Sequence, residues 1–270
     1  MLPRTLALLI AVGCGSPSGS GGGAPDGGRG SSGSDAAVPL GDRYLLYYEA
    51  GGFTDPTTTP ACDTPSAFGS WTGLLAPTPL DVSATWPGDL TPYHVIAFGY
   101  LGSAPGSQGL APAQHDALAR WLSGGGTALF ITDISFDADL ANANTVLNAL
   151  MQSLGVGVSV DGVDDDPYYY SLPLDPAQPL GDGVAPLSCG TVSYAAVTPP
   201  AVVVDQTPPA AGKGVLATQA VGAGRVVVLS DSTCVSDYDY ATGTPPLYAD
   251  CATAASAGAS LGMFLRRLGG

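Results

Sequence analysis

The sequence predicts an α/β domain of three layers: a mostly parallel β-sheet covered by helices on both faces, with an antiparallel hairpin near the C-terminus. Three observations lead there. Several short runs are apolar throughout instead of alternating, which marks strands buried on both faces. Helix-patterned segments separate these runs. Late in the chain, two β-rich runs flank a short Gly-containing turn.

Residues 44–49 (YLLYYE) form the first such strand, stopped at Gly51 and Gly52. Residues 53–71, rich in Thr, Pro and Gly, read as a long loop, and 80–84 as a short strand. Residues 93–100 (YHVIAFGY) are a strong strand, followed by a Gly/Ser/Pro loop over 101–109. The segment 111–122 carries helix signals: Pro112 suits a first helical position, and Leu118, Trp121 and Leu122 share one face. Gly124, Gly125 and Gly126 stop it, and 127–132 (TALFIT) is a buried strand ending at Asp133. A second helix is expected over 144–154, with Val146, Leu147, Leu150, Met151 and Leu154 at helical spacing and Gly155 closing it. Residues 156–160 read as a strand, 163–186 as irregular, and 192–204 as one or two strands. Runs 215–220 (VLATQA) and 225–229 (RVVVL) make the hairpin about a turn at 221–224. A C-terminal helix spans 254–268, weakened by Gly258 and Gly262. The order describes a flavodoxin-like domain from about residue 38 to 270.

The first 37 residues read differently. Arg4 precedes the apolar run 6–12, and the small Gly13 precedes Cys14, the layout of a secretory signal over 1–13. The run is too short to span a bilayer, which takes about 20 apolar residues. The stretch Ala11-Val12-Gly13-Cys14 resembles a bacterial lipobox, with Ala11 where Leu is commoner. The expectation is a lipoprotein acylated (palmitate among the chains) on Cys14 and held in the cell envelope, at the periplasm or outer membrane. Residues 14–37, nearly all Gly, Ser, Pro and Ala beyond Cys14, suit a flexible tether.

Lys occurs once (Lys213) and Glu once (Glu49), so Asp supplies almost all of a net charge of −15. That charge excludes nucleic acid as a partner and disfavours electrostatic attraction to anionic lipid. Setting Cys14 aside leaves Cys62, Cys189, Cys234 and Cys251, an even number that fits two disulfides in an oxidising compartment. Of three pairings, the one expected is Cys234 with Cys251 and Cys62 with Cys189. Zinc-ligand spacing is absent, with only His94 and His115 to add.

One resemblance is carried by particular residues: Leu110, Gln114, Leu118, Trp121, Gly124, Gly125 and the run LFITD at 129–133, then Gly222, Gly224 and RVVVLSD at 225–231. This pattern resembles the class I glutamine-amidotransferase-like domain, in a divergent form found in membrane-associated bacterial proteins. It covers roughly 44–268 and implies that fold. Amidotransferases of the family carry a Cys at a strand-to-helix elbow, with His and an acid downstream. Here the elbow holds Thr132, Asp133, Ile134 and Ser135, and no His follows His115. The resemblance therefore argues against glutamine hydrolysis.

Ligands of open α/β sheets bind beyond the carboxyl ends of the strands. That edge should gather Glu49, Tyr100, Asp133, Asp137, Asp231 and Asp237. Asp133 and Asp231 each follow an apolar strand, and they are read either as a cation-binding or acid/base pair, with calcium the candidate ion, or as caps of adjacent turns. The acidic run 161–166 is read as a calcium-ligating loop or a solvated acidic turn, Tyr168, Tyr169 and Tyr170 as a glycan- or partner-binding face or as core residues, and the run 237–240 (DYDY) as a repeat of that theme on the same face. His94 and His115 are expected to be structural or exposed, and Ser135 is a poor hydrolase nucleophile because no GxSxG elbow surrounds it. The leading functional expectation is a non-enzymatic binding domain with an unknown protein or glycan partner. The alternative is a metal-assisted hydrolase using the strand-end carboxylates.

Overall fold

The computed structural model describes residues 39–52, 71–135, 137–163, 170–190, 193–235 and 255–270, the side chains of 255–259 apart. Residues 37–270 form one compact unit. In chain order it contains β1 (Arg43–Tyr48), α1 (Trp71–Leu75), β2 (Leu80–Ser83), β3 (Tyr93–Gly99), α2 (Pro112–Ser123), β4 (Thr127–Ile131), α3 (Ala138–Ser153) and β5 (Val158–Val160). There follow β6 (Tyr170–Leu172), β7 (Leu187–Cys189), β8 (Ala195–Val197), β9 (Val202–Val203), β10 (Lys213–Gly214), β11 (Leu216–Val221) and β12 (Gly224–Leu229). A 3-10 turn, Ser232–Val235, and α4 (Ala255–Leu268) complete the described chain.

The main sheet has seven strands in the order β2-β1-β3-β4-β12-β11-β9. β2, β1, β3, β4 and β12 run parallel, while β11 is antiparallel to both β12 and β9. The expected fold is therefore present: α/β, mostly parallel, with antiparallel strands toward the C-terminus. β12 belongs to both parts, since it is the second arm of the hairpin and the parallel neighbour of β4. The strand expected at 156–160 exists as β5, but it pairs with β8 in a separate three-stranded sheet. The stretch expected to be irregular contains β6, which pairs with β7 just beyond it.

The unbroken apolar runs are explained by two cores. Tyr44, Leu46, Val95, Ala97, Leu129, Ile131, Val227 and Leu229 face one side, packed with Trp71 and Leu75 of α1 and Phe264, Leu265 and Leu268 of α4. The alternate residues Leu45, Tyr47, Ile96, Phe98, Ala128, Phe130, Val226 and Val228 face the other, against Leu118, Trp121 and Leu122 of α2 and Leu147, Leu150 and Met151 of α3. Phe98 and Phe130 stack across β3 and β4 with ring centroids 4.6 Å apart. Burying each such side chain contributes about 1.5–3 kcal/mol.

α1 was not expected. It is one short turn set by Trp71, whose indole N–H donates to Val235 O at 2.9 Å. α3 begins six residues before the expected Asn144, because Asp137 caps it: Leu140 N donates to Asp137 Oδ1 at 2.8 Å. Asn142 and Asn144, poor helix formers, are held there by acceptors outside the helix, Gly102 O at 2.7 Å and Asp133 O at 2.9 Å. Gly224 is required by close approach, since a Cβ there would sit 2.2 Å from Gly126 O.

The cysteine pairing differs from expectation. Cys189, at the end of β7, is bonded to Cys234 in the 3-10 turn. The turn after β12 lands beside β7, bringing the two Cα atoms to 4.2 Å. This juxtaposition comes from strand order, which proximity along the sequence does not report. It overturns the pairing of Cys234 with Cys251 and of Cys62 with Cys189. Cys62 and Cys251 lie outside the described residues, as do Cys14 and the segments expected to be signal and tether.

Candidate functional site

Because β1, β3, β4 and β12 are parallel, their last residues share one edge. Asp133 and Asp231 follow adjacent strands there and are brought together, but inside the protein: they are 3% and 0% exposed.

Each carboxylate is surrounded by donors. Asp133 Oδ1 accepts from Ile134 N at 2.8 Å. Its Oδ2 accepts from Tyr100 Oη at 3.0 Å, Ser232 N at 3.2 Å and Ser232 Oγ at 2.5 Å. Tyr100 Oη also makes a short hydrogen bond with Ser232 Oγ. Asp231 Oδ1 accepts from Thr233 N at 2.9 Å and from Thr233 Oγ1, while Oδ2 accepts from Tyr170 Oη at 2.8 Å. Gly190 N donates in turn to Thr233 Oγ1, tying the network to the end of β7. Burial raises the carboxyl pKa of Asp133, and the bonds from Ser232, Ile134 and Tyr100 offset only part of that. Asp231 is pushed well above the usual carboxylate range by burial and then by the charge of Asp133. Burial also raises the phenols of Tyr100 and Tyr170.

Tyr100 sits at φ +45°, in the left-handed region that a bulky side chain rarely adopts. Its N–H still reaches Ile131 O at 3.2 Å. The strained backbone turns the ring inward, so that its hydroxyl closes the network.

The other expected residues do different jobs. Glu49 braces the loop after β3, accepting from Gly102 N at 2.7 Å, Ala104 N at 3.3 Å and Ser107 Oγ at 2.6 Å. Asp137 caps α3 as described. Asp237 and the run 237–240 lie outside the described residues, as do 164–169. Asp161 closes an Asx turn, accepting from Val163 N at 3.1 Å. His94 begins β3 at the opposite edge, and His115 on α2 bonds Ser153 Oγ at 2.8 Å, so neither reaches the carboxylates. Ser135 Oγ accepts from Asn144 Nδ2 at 2.9 Å. The sequence reading missed Ser232, Thr233 and Asn144. The run Ser230-Asp231-Ser232-Thr233 directly after a buried strand was the available signal, because Asp, Ser and Thr side chains bond nearby backbone at such breaks.

Cys189, Asp231 and Cys234 place one ligand-type atom each within 4.8 Å of one another. The two sulfurs are bonded to each other, so neither is a thiolate ligand.

No protein-family model matches this sequence, and no curated protein sequence matches it. Solved structures resemble it at low identity. The cytoplasmic protein STM1381 of Salmonella typhimurium LT2 is 15% identical, with a TM-score of 0.49 over 83% of this chain and 98% of that one. A ThuA-like protein of Bacteroides uniformis is 14% identical, with a TM-score of 0.47 over 73% of this chain and 84% of that one. A β-galactosidase of the haloarchaeon Halorubrum lacusprofundi is 19% identical, with a TM-score of 0.47 over 87% of this chain but 32% of that one.

Proposed function

We propose that this is a lipid-anchored cell-envelope domain that binds a ligand or protein partner at the C-terminal edge of its sheet and carries out no hydrolysis there. The observation that carries this reading is the state of the two strand-end carboxylates. Both are buried, and the oxygens of each are occupied by internal donors. A general base or metal ligand must present an oxygen to its substrate or ion. These two hold the 3-10 turn and the end of β3 in place instead. The elbow after β4 offers Thr132, Asp133, Ile134 and Ser135, with neither thiol nor imidazole alongside among the described residues, which also supports a non-catalytic reading. An edge from which the connections after β1, β3, β4 and β12 all leave is the ordinary place for recognition.

One observation favours a second reading. Asp133 and Asp231 do converge, as a metal-assisted hydrolase would need. Calorimetric titration of residues 38–270 with calcium, with melting curves in calcium and in chelator, separates the two. Calcium binding that disappears in Asp133→Asn or Asp231→Asn supports the hydrolase. For the binding reading, a photo-crosslinking amino acid at Ser135 is compared with one at Arg120, on the outer face of α2. Adducts in intact cells from Ser135 alone support recognition at this edge. Adducts from neither, together with calcium binding, sink it.

A further inference from the structure

We propose that the cavity at the opposite, N-terminal edge of the sheet takes the phosphate group of an anionic lipid headgroup. The lipid as source rests on the anchored reading above; the anion site does not.

The cavity has a volume of about 380 Å³ and is lined by Pro176, Gln178, Asp182, Arg225, Arg267 and Gly270 among others. Arg225 is its half-buried wall. Nη2 donates to Arg267 O and Leu268 O, both at 3.3 Å, and Nε donates to Thr127 Oγ1 at 3.4 Å. All three acceptors are neutral and distant. A guanidinium has five N–H donors, so the two on Nη1 remain. Among the described residues no carboxylate lies within ion-pair distance of Arg225. Burial weakens its hold on the proton, and the Tyr44 phenol offsets part of that. Arg267 supplies the second guanidinium, 3.1 Å from an Asp182 carboxylate that is 65% exposed. So exposed a pair is weak, and an entering phosphate displaces it at little cost. Two guanidinium groups around one cavity match the fork geometry that phosphate oxygens accept.

Part of the overall charge of −15 lies too far away to oppose this. β12 is six residues long, so its two ends are about 20 Å apart, beyond the screening length of about 8 Å at physiological salt. The carboxylates of the far edge are therefore screened from the cavity.

The same edge is where the chain arrives from its N-terminus. β1 starts there at Arg43, and Gly41 N donates to Thr91 O at 2.7 Å, just before β3 starts. A flexible tether joined at this edge leaves it free to reach the bilayer.

The test uses residues 15–270, which contain the whole compact unit, and co-flotation with phosphatidylglycerol or phosphatidylcholine vesicles. The expected result is preference for phosphatidylglycerol. Arg225→Gln or Arg267→Gln should weaken binding about fivefold each, and Asp182→Asn, which frees Arg267, should strengthen it. Melting curves confirm that each variant is folded. If Arg225→Gln is not, Arg267→Gln and Asp182→Asn carry the test from the exposed side of the cavity. No lipid preference, or variants that bind as the parent does, overturns the proposal. Binding of inorganic phosphate that needs Arg225, without vesicle binding, overturns the lipid as source. Labelled palmitate on Cys14 reads the anchor separately: no label alongside intact vesicle preference defeats the anchored reading and leaves the site standing.

Discussion

Replacing Asp133 by Asn tests whether the strand-end network is a structural brace. The carboxylate accepts from four donors, two of them backbone N–H groups on opposite oxygens: Ile134 on Oδ1 and Ser232 on Oδ2. Hydroxyls of Tyr100 and Ser232 can rotate to accept from an amide, but a backbone N–H cannot. Whichever way the Asn side chain turns, its NH2 faces one N–H and leaves that donor unsatisfied in a buried place. Such a group costs about 1–3 kcal/mol. Taking 2 kcal/mol, melting of a domain this size should drop about 4–8 °C. The loss should also depend on pH with a definite sign. Burial holds the Asp133 carboxyl above its ordinary value, so its folded form binds the proton more readily than the unfolded chain. The wild type therefore gains stability from this group as pH falls, and Asn does not. Urea titrations at pH 7 and pH 5 should show a gap between the two that widens in acid. A variant as stable as the wild type at both values, or a gap that narrows in acid, refutes the argument.

Other tests follow the same logic. Reducing Cys189–Cys234, or Cys189→Ser, opens a cross-link between residues 45 apart; chain-entropy reasoning gives about 4 kcal/mol of lost stability, read by melting with and without reductant. Gly224→Ala drives a Cβ to 2.2 Å from Gly126 O and should cost about 1–3 kcal/mol in urea midpoint, with little relief from side-chain movement because the obstacle is backbone. Glu49→Ala removes the acceptor that holds Gly102, Ala104 and Ser107, so protease cleavage within 101–109 should quicken while the global melt moves little. Across pH, two opposed groups set a maximum: Asp81, lowered by Arg43, loses its contribution as pH falls below its ordinary value of about 3.9, whereas Asp133, Asp205 and Asp231, raised by burial, give theirs up as pH rises through their folded values. The maximum should lie on the acid side of neutral, and a midpoint that climbs steadily to pH 8 contradicts this.

The main sheet was legible because its strands are buried on both faces, so β1, β3, β4 and β12 show as unbroken apolar runs. α2 was legible because Pro112 and the glycines after Ser123 punctuate it. The beginning of α3 was hidden, since Asn142 and Asn144 satisfy their amides against other elements and interrupt the apolar stripe. β6 and β7 are three residues each, too short for periodicity to register. At the site, strand-end placement identified Asp133, Asp231 and Tyr100 correctly as neighbours. Their burial was not legible, because the donors that make it tolerable come from Ser232, Thr233 and Tyr170, whose arrival depends on tertiary placement. The cysteine pairing failed for the same reason.

The place of β12 in the strand order sets a schedule for assembly. β4 is buried along its whole length, yet its second neighbour is made almost a hundred residues later. Until that segment exists, β2, β1, β3 and β4 form a half-sheet whose last member shows a bare row of apolar side chains and unpaired backbone groups. Such an edge invites foreign strands. The domain therefore has no safe partly built state ending between β4 and β12, and chains truncated there should aggregate where chains truncated after α4 do not.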